Sequence, residues 1–185
     1  MNTDLLFQKG KVWTLSNIIS LLRLMLGIVI YHLIVTRQLT ASIVLSILIV
    51  LSDYADGYLA RKRNEVSELG KVLDPLADKV CVALGAIALH LSYGLPLWVV
   101  ILLIARDVLI VLGSFILISR THRVVASEIP GKLGVTVIAL LLFAYLIEWE
   151  AAKPVLLVLA VIAVFISFGY YSWRFIQYMI LQKEA

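Results

Sequence analysis

Six long apolar segments, most of them close to 20 residues, restrict the fold of this 185-residue chain more than any other feature. We predict spans at residues 15–36, 39–60, 70–91, 96–118, 131–148 and 154–180. A helix needs about 20 apolar residues to cross a bilayer. With 62% hydrophobic residues and a mean hydropathy of +1.02, the chain lies far above soluble globular domains. We therefore predict an all-α, polytopic integral membrane protein with six transmembrane helices in a single domain, 1–185.

The first 14 residues form a juxtamembrane segment in which apolar and basic residues alternate. We expect either a short interfacial helix or a polar lead-in. The first apolar run lacks a small-residue cleavage site, so we interpret it as a retained span rather than a removed signal peptide. The single cysteine, Cys81, excludes an internal disulfide and is interpreted as a packing residue.

Basic residues are distributed unevenly between the two ends of the predicted spans. One end has Lys9, Lys11, Arg61, Lys62, Arg63, Lys71, Arg120, Arg123, Lys132 and Lys183. The opposite connections hold only Arg37 and Lys153. Because cytoplasmic loops are enriched in lysine and arginine, we expect both termini on the cytoplasmic side. The net charge of +4 is then a property of membrane topology, and no nucleic-acid partner is expected.

The stretch from Asp53 to Asp78 places four carboxylates at the inner ends of two apolar spans. A helix turns by about 100° per residue, so the residues on one face of the second span can be read from their spacing. They are Asp53, Asp56, Gly57 and Ala60. Asp74 and Asp78 lie one turn apart on the third span. Since a short basic linker joins these spans, they can pair antiparallel and bring the acids together.

Four converging carboxylates with little water repel each other unless a cation lies between them. Oxygen-only ligands favour a hard ion, Mg²⁺ or Mn²⁺, over zinc. Gly57 permits close approach of a ligand to the backbone, and Arg61 is placed to bind a phosphate oxygen. We therefore expect a diphosphate site. Two metal ions would stabilise the attacking and leaving oxygens, or one acid would act as general base on a hydroxyl.

Two other interpretations of these acids are weaker. A single Asp at such a position is often a helix cap or an interfacial charge, but that reading does not explain four at this spacing. A divalent-cation transporter would also have acids within the membrane. It predicts acids near the midplane, whereas these cluster at one end of their spans beside Arg61, which disfavours a cation path.

This spacing resembles the signature of the CDP-alcohol phosphotransferase family, Asp-x₂-Asp-Gly-x₂-Ala-Arg-x₈-Gly-x₃-Asp-x₃-Asp. All eight fixed positions are met, at Asp53, Asp56, Gly57, Ala60, Arg61, Gly70, Asp74 and Asp78. The resemblance implies an enzyme that transfers a phosphatidyl group from CDP-diacylglycerol to the hydroxyl of a second alcohol, releasing CMP. It also implies a homodimer among membrane lipids, in a bacterial inner membrane. The distribution of basic residues places the acidic stretch on the cytoplasmic side.

The same resemblance assigns roles to individual residues. Asp53, Asp56 and Asp74 would bind two Mg²⁺ (or Mn²⁺) ions, and Asp78 would be the general base and a further metal ligand. The residues expected to bind the CDP moiety are Gly57, Ala60, Arg61, Ser67 and Gly70.

Two sets of residues indicate different acceptor alcohols. The run from Leu73 to Lys79, with Asn17 and Arg23, is similar to the phosphatidylglycerophosphate synthases of this family, whose acceptor is glycerol 3-phosphate. The pair Arg106-Asp107 is instead similar to the cardiolipin synthases of the same superfamily, whose acceptor is phosphatidylglycerol. We expect glycerol 3-phosphate and keep phosphatidylglycerol as the alternative.

Three cations each have two interpretations. Arg106, near the middle of the fourth span, would bind the acceptor phosphate or form an internal ion pair with one of the acids. Lys132, at the start of the fifth span, would bind the same anion with help from the helix N-terminus, or act as a topological charge. Arg23 would bind the substrate headgroup or extend to the membrane surface as an anchor.

Overall fold

The computed structural model describes residues 15–63, 68–121 and 129–181, with side chains described in 18–51, 76–113 and 133–173 and at residue 177. The six helices are α1 (Leu15–Val35), α2 (Leu39–Arg63), α3 (Glu68–Tyr93), α4 (Leu97–Thr121), α5 (Ile129–Leu146) and α6 (Lys153–Leu181). No strand occurs among the described residues, so the all-α prediction is confirmed. Each helix end lies within three residues of the predicted span. The juxtamembrane segment lies outside the described residues.

Within the described residues, three helical segments are long and apolar enough to cross a membrane. They are Ile18–Val35, Leu76–Tyr93 and Lys153–Trp173. Leu39–Leu51 and Leu133–Leu146 are shorter apolar segments. The structure therefore supports a membrane protein with several apolar helices. The number of six spans stays a prediction.

Helix α1 buries small and polar residues and exposes apolar residues, the pattern expected of a helix that faces lipid. Its buried positions recur every three or four residues, at Ser20, Arg23, Gly27, Ile30 and Ile34. Its exposed positions are almost all apolar, with Met25 65% and Ile28 61% exposed. Because residues three and four apart share one face of a helix, α1 turns small and polar side chains inward and aliphatic side chains outward.

The chain divides into two compact units, with the boundary between Ser92 and Tyr93, and α1, α2 and α3 belong to the first. Helix α1 ends in a Schellman motif, in which the N–H of Gln38 donates to the carbonyl of Leu33 at 2.9 Å. Arg37 occupies the left-handed position of this motif with φ 55°. A non-glycine residue is strained in this conformation, so we expect a contact of the Arg37 side chain to offset the strain.

The side chain of Arg37 fastens the end of α1 to the end of α3. It donates a hydrogen bond to the carbonyl of Ser92, in the last turn of α3. The Ser92 hydroxyl in turn donates to the carbonyl of Val35 at 3.4 Å. Since the carboxyl ends of α1 and α3 meet, these helices run parallel. Helix α2 follows α1 and precedes α3 in the chain.

The second unit comprises α4, α5 and α6. Buried positions again recur every three or four residues, at Val99, Leu103, Arg106, Gly134, Ile138, Leu141, Tyr145, Ala160, Val164 and Ser167. The turn from α5 to α6 repeats the Schellman geometry with Glu148 at φ 54°. Lys153 binds Glu150 at 2.5 Å and lies 5.0 Å from the centre of the Tyr145 ring. Among the described residues of this unit, Arg106 and Ser167 are polar and buried among apolar side chains.

Candidate active site

The acidic stretch occupies the α2–α3 hairpin of the first unit. Asp53 lies ten residues before the end of α2, and Asp78 lies ten residues after the start of α3. At about 1.5 Å per residue, both backbone positions are about 15 Å from the connected ends of their helices. Asp56 and Asp74 lie seven and six residues from the same ends. The two halves of the motif thus lie at similar distances along the backbone from the ends of α2 and α3 that the connection joins.

Most side chains of the motif belong to residues 52–75 and lie outside the described side chains. In this range, Asp53, Asp56, Gly57, Ala60 and Arg61 have helical backbone in α2, and Gly70 and Asp74 have helical backbone in α3. Ser67 lies outside the described residues. The metal-binding and CDP-binding roles of these residues remain predictions.

Asp78, the predicted general base, has a described side chain and is half-buried on α3. One turn later, the Cys81 thiol donates a hydrogen bond to the carbonyl of Arg23 on α1, with 2.9 Å between sulphur and oxygen. Helix α1 therefore places Arg23 at the level of the predicted base.

The side chain of Arg23 is only 5% exposed. It lies inside the first unit, so the structure argues against an anchor that extends to the membrane surface. Gly27 allows this close contact between α1 and α3, because a Cβ at this position would lie 2.7 Å from the Cys81 sulphur. It would also lie 3.4 Å from the Cys81 Cα, so the missing side chain sets how closely α1 approaches α3.

Arg106 is the second deeply buried arginine among the described residues, with 4% of its side chain exposed. Its Nη1 donates to Oδ1 of Asp107 at 2.6 Å. Within the described side chains, its ion pair is therefore with the adjacent residue and not with an acid of the motif. Its Nε is buried without a hydrogen-bond partner.

Gly134 of α5 lies close to Arg106 and to Ser167 of α6. A Cβ at Gly134 would lie 3.7 Å from Nη2 of Arg106 and 2.8 Å from Oγ of Ser167. The Ser167 hydroxyl donates to the carbonyl of Ala163 at 2.7 Å. Lys132 has helical backbone near the start of α5, and its side chain is not described.

The sequence did not single out Gly27, Gly134 and Ser167. The available signal was the spacing of small and polar residues every three or four positions along apolar helices, which favours close helix packing. That signal marks a face of a helix but not the helix that packs on it.

The donor set fits a hard divalent ion, because it consists of four carboxylates without nitrogen or sulphur ligands. Among the described residues, no group of three or more His, Cys, Asp and Glu residues is placed to hold a metal ion. Three of the four predicted ligands lie outside the described side chains. The metal site therefore remains a prediction that the residue types support.

A sequence profile of the CDP-alcohol phosphatidyltransferases matches residues 13–168. The chain belongs to the CDP-alcohol phosphatidyltransferase family. The match includes the whole acidic stretch, α1 to α5 and much of α6. The family predicted from the eight fixed residues is confirmed.

Curated relatives among these CDP-alcohol phosphatidyltransferases have two different names. The Aquifex aeolicus CDP-diacylglycerol–glycerol-3-phosphate 3-phosphatidyltransferase is 36% identical over 106 residues, covering 56% of this chain and 60% of the relative. The Bacillus subtilis protein of the same name is 41% identical over 93 residues, covering 50% and 48%. A rat cardiolipin synthase (CMP-forming) is 34% identical over 110 residues, covering 59% and 36%. The matches thus span between 36% and 60% of these relatives.

Proposed function

We propose that the chain transfers the phosphatidyl group of CDP-diacylglycerol to glycerol 3-phosphate, producing phosphatidylglycerophosphate and CMP. The observation that most supports this is the complete acidic signature on α2 and α3, with its two halves at similar distances from the connection between these helices. Two bacterial relatives named for this reaction support the acceptor. In the reaction, the acceptor hydroxyl oxygen forms a bond to the lipid-linked phosphorus, the phosphoanhydride bond breaks, and CMP leaves.

Residues of α2 and α3 have different roles in the proposed reaction. Asp53, Asp56 and Asp74 would hold two Mg²⁺ ions, which would supply positive charge to neutralise the diphosphate. Asp78 accepts the proton of the attacking hydroxyl. Arg61 binds a phosphate oxygen of the CDP moiety.

The remaining predicted CDP contacts come from small residues. Gly57, Ala60 and Gly70 leave room for the nucleotide to approach the helix backbone, and Ser67 offers a hydroxyl. Their side chains present little or no bulk at one end of the hairpin.

Arg106 and Lys132 bind the phosphate of the acceptor in this proposal. A buried guanidinium whose Nε has no partner is costly unless a ligand satisfies it, which supports an anion site at Arg106. Lys132 is near the start of α5, where the helix dipole also favours an anion.

We further propose a six-span protein of the bacterial inner membrane, with both termini and the active site on the cytoplasmic side. Arg37 and Lys153, the basic residues of the opposite connections, both have local roles, with Ser92 and with Glu150 respectively. Their positions therefore have a local structural explanation, and the other basic residues support the orientation. A homodimer is proposed by analogy with the family, and cross-linking in native membranes tests it.

Phosphatidylglycerol is the alternative acceptor, as in cardiolipin synthases. The observations that favour it are the Arg106-Asp107 pair and the relatives named cardiolipin synthase. A phosphodiester in the acceptor would replace the phosphomonoester of glycerol 3-phosphate.

The deciding experiment measures CMP release by the purified full chain with CDP-diacylglycerol and Mg²⁺. Glycerol 3-phosphate, phosphatidylglycerol, inositol phosphate and serine are supplied in separate reactions. We expect release with glycerol 3-phosphate, and its loss in Asp78→Asn. Release with phosphatidylglycerol alone would support phosphatidylglycerol as the acceptor. If no acceptor led to release, the proposed enzymatic activity would be refuted.

A further inference from the structure

We infer that Asp107 and Gly134 favour binding of the acceptor phosphate at Arg106. Asp107 holds the guanidinium, and Gly134 places no side chain from α5 beside the edge formed by Nε and Nη2. This inference rests on the proposed function and deepens it. Asp107 acts through Arg106 and is therefore a positioning residue. Gly134 acts by having no side chain beside the same guanidinium.

The first step concerns the orientation of Arg106. A guanidinium has one lateral edge formed by Nε and Nη2, and Nη1 lies outside that edge. Asp107 accepts from Nη1 at 2.6 Å, and both side chains are largely buried, at 4% and 14% exposure. The ion pair therefore fixes the guanidinium through Nη1 and leaves the lateral edge for another partner.

The second step concerns what lies beside that edge. Its Nε is buried and has no hydrogen-bond partner. A Cβ at Gly134 would lie 3.7 Å from Nη2, in van der Waals contact, so any side chain there would occupy space next to the edge. The Ser167 hydroxyl donates its hydrogen to the carbonyl of Ala163 within α6. Gly134 therefore contributes no side chain beside Nη2, and Ser167 of α6 packs close to the same position of α5.

The third step is the chemistry of the ligand. Two parallel N–H groups on one arginine edge match two oxygens of a phosphate, and charge-assisted bonds of this type are the strongest hydrogen bonds in proteins. Glycerol 3-phosphate and phosphatidylglycerol both offer such oxygens. The site is thus an acceptor-phosphate site in either case, and the assay distinguishes the two sources.

The test compares steady-state constants for Asp107→Ala, Asp107→Glu and Gly134→Ala/Ser167→Ala in the full chain. The double variant removes the 2.8 Å clash with Ser167 but keeps a Cβ beside Nη2. Ser167→Ala alone controls for the lost hydroxyl. Gly169→Ala is the matched glycine control, because a Cβ there meets nothing within 4 Å.

We expect Asp107→Ala and the double variant to raise the acceptor KM by about tenfold or more, the effect of a lost charge-assisted hydrogen bond. The KM for CDP-diacylglycerol should stay within about twofold, a change that is small beside one lost hydrogen bond. Asp107→Glu should restore most of the acceptor KM, because it keeps the charge. A purely structural role would instead reduce kcat and thermal stability and affect both substrates.

Calorimetric titration of glycerol 3-phosphate into each purified protein gives a readout that does not require turnover. Wild-type binding that is lost in Asp107→Ala would support the site even if no acceptor released CMP, which would refute only the proposed function. An unchanged acceptor KM in Asp107→Ala and in the double variant would overturn the inference while leaving the enzyme intact. A parallel rise in the KM for CDP-diacylglycerol would also overturn it.

Discussion

Replacement of Gly27 by alanine tests the contact that sets the approach of α1 to α3. The new Cβ would lie 2.7 Å from the Cys81 sulphur, about 1 Å inside an ordinary carbon contact. The sulphur is held by its hydrogen bond to the Arg23 carbonyl, and the Cys81 Cα, at 3.4 Å, leaves little room behind it. Relief therefore requires either the loss of that bond or a shift of α1.

The magnitude follows from two opposing effects. Overpacking of this kind costs about 1–3 kcal/mol. Replacing a helical glycine by alanine gains about 1 kcal/mol. Gly85→Ala is the matched control on α3, because a Cβ at Gly85 meets nothing within 4 Å. We therefore expect Gly27→Ala to have a free energy of unfolding about 1–3 kcal/mol lower than Gly85→Ala.

The assay is unfolding of the purified full chain by SDS in mixed micelles, followed by circular dichroism. Cys81→Ala removes the clashing sulphur, so Gly27→Ala should cost much less in that background, with a coupling energy of about 1–2 kcal/mol. If Gly27→Ala matched Gly85→Ala in stability, the packing argument would be wrong. The same conclusion would follow if the loss persisted fully in the double variant.

The remaining predictions concern the turns, the acids and the thiol. Glu148→Gly should raise the free energy of unfolding by about 1 kcal/mol, because glycine adopts φ 54° without strain. Arg37→Gly should gain less in the same SDS titration, because it also removes the bond to Ser92. Asp78→Asn should reduce CMP release by about 100-fold or more with an unchanged circular dichroism spectrum, and EDTA should abolish release until Mg²⁺ is added back. Maleimide labelling of Cys81, measured by mass spectrometry, should be slow in the folded chain and faster in Gly27→Ala, because the thiol is 8% exposed.

The helices were predictable from the sequence because long apolar runs separated by polar connections leave few alternatives. The orientation of the Arg23 side chain was not predicted. An arginine at this position of a span can either be buried in the protein or extend to the membrane surface as an anchor. The spacing of Ser20, Arg23 and Gly27 contains the answer, because it puts them on one face that an apolar exterior must bury.

The candidate site was predictable in its family and less so in its geometry. Eight fixed residues identified the family, but their side chains lie mostly outside the described ones, so the metal and CDP contacts stay predictions. The prediction of one domain also stays a prediction, because the two units are described separately. The role of Gly134 depends on which helix packs against Arg106, and spacing along one helix cannot supply that.

The bonds of Ser92 with Arg37 and with the Val35 carbonyl hold the end of α3 to the end of α1. Asp78 lies fourteen residues from Ser92 along α3, so a tilt of about 5° about that end of α3 displaces its backbone by about 2 Å. The displacement caused by such a tilt is small near Ser92 and increases with distance along α3 toward Asp78. Loss of the Arg37 bond to Ser92 would therefore affect the position of the Asp78 backbone at a distance.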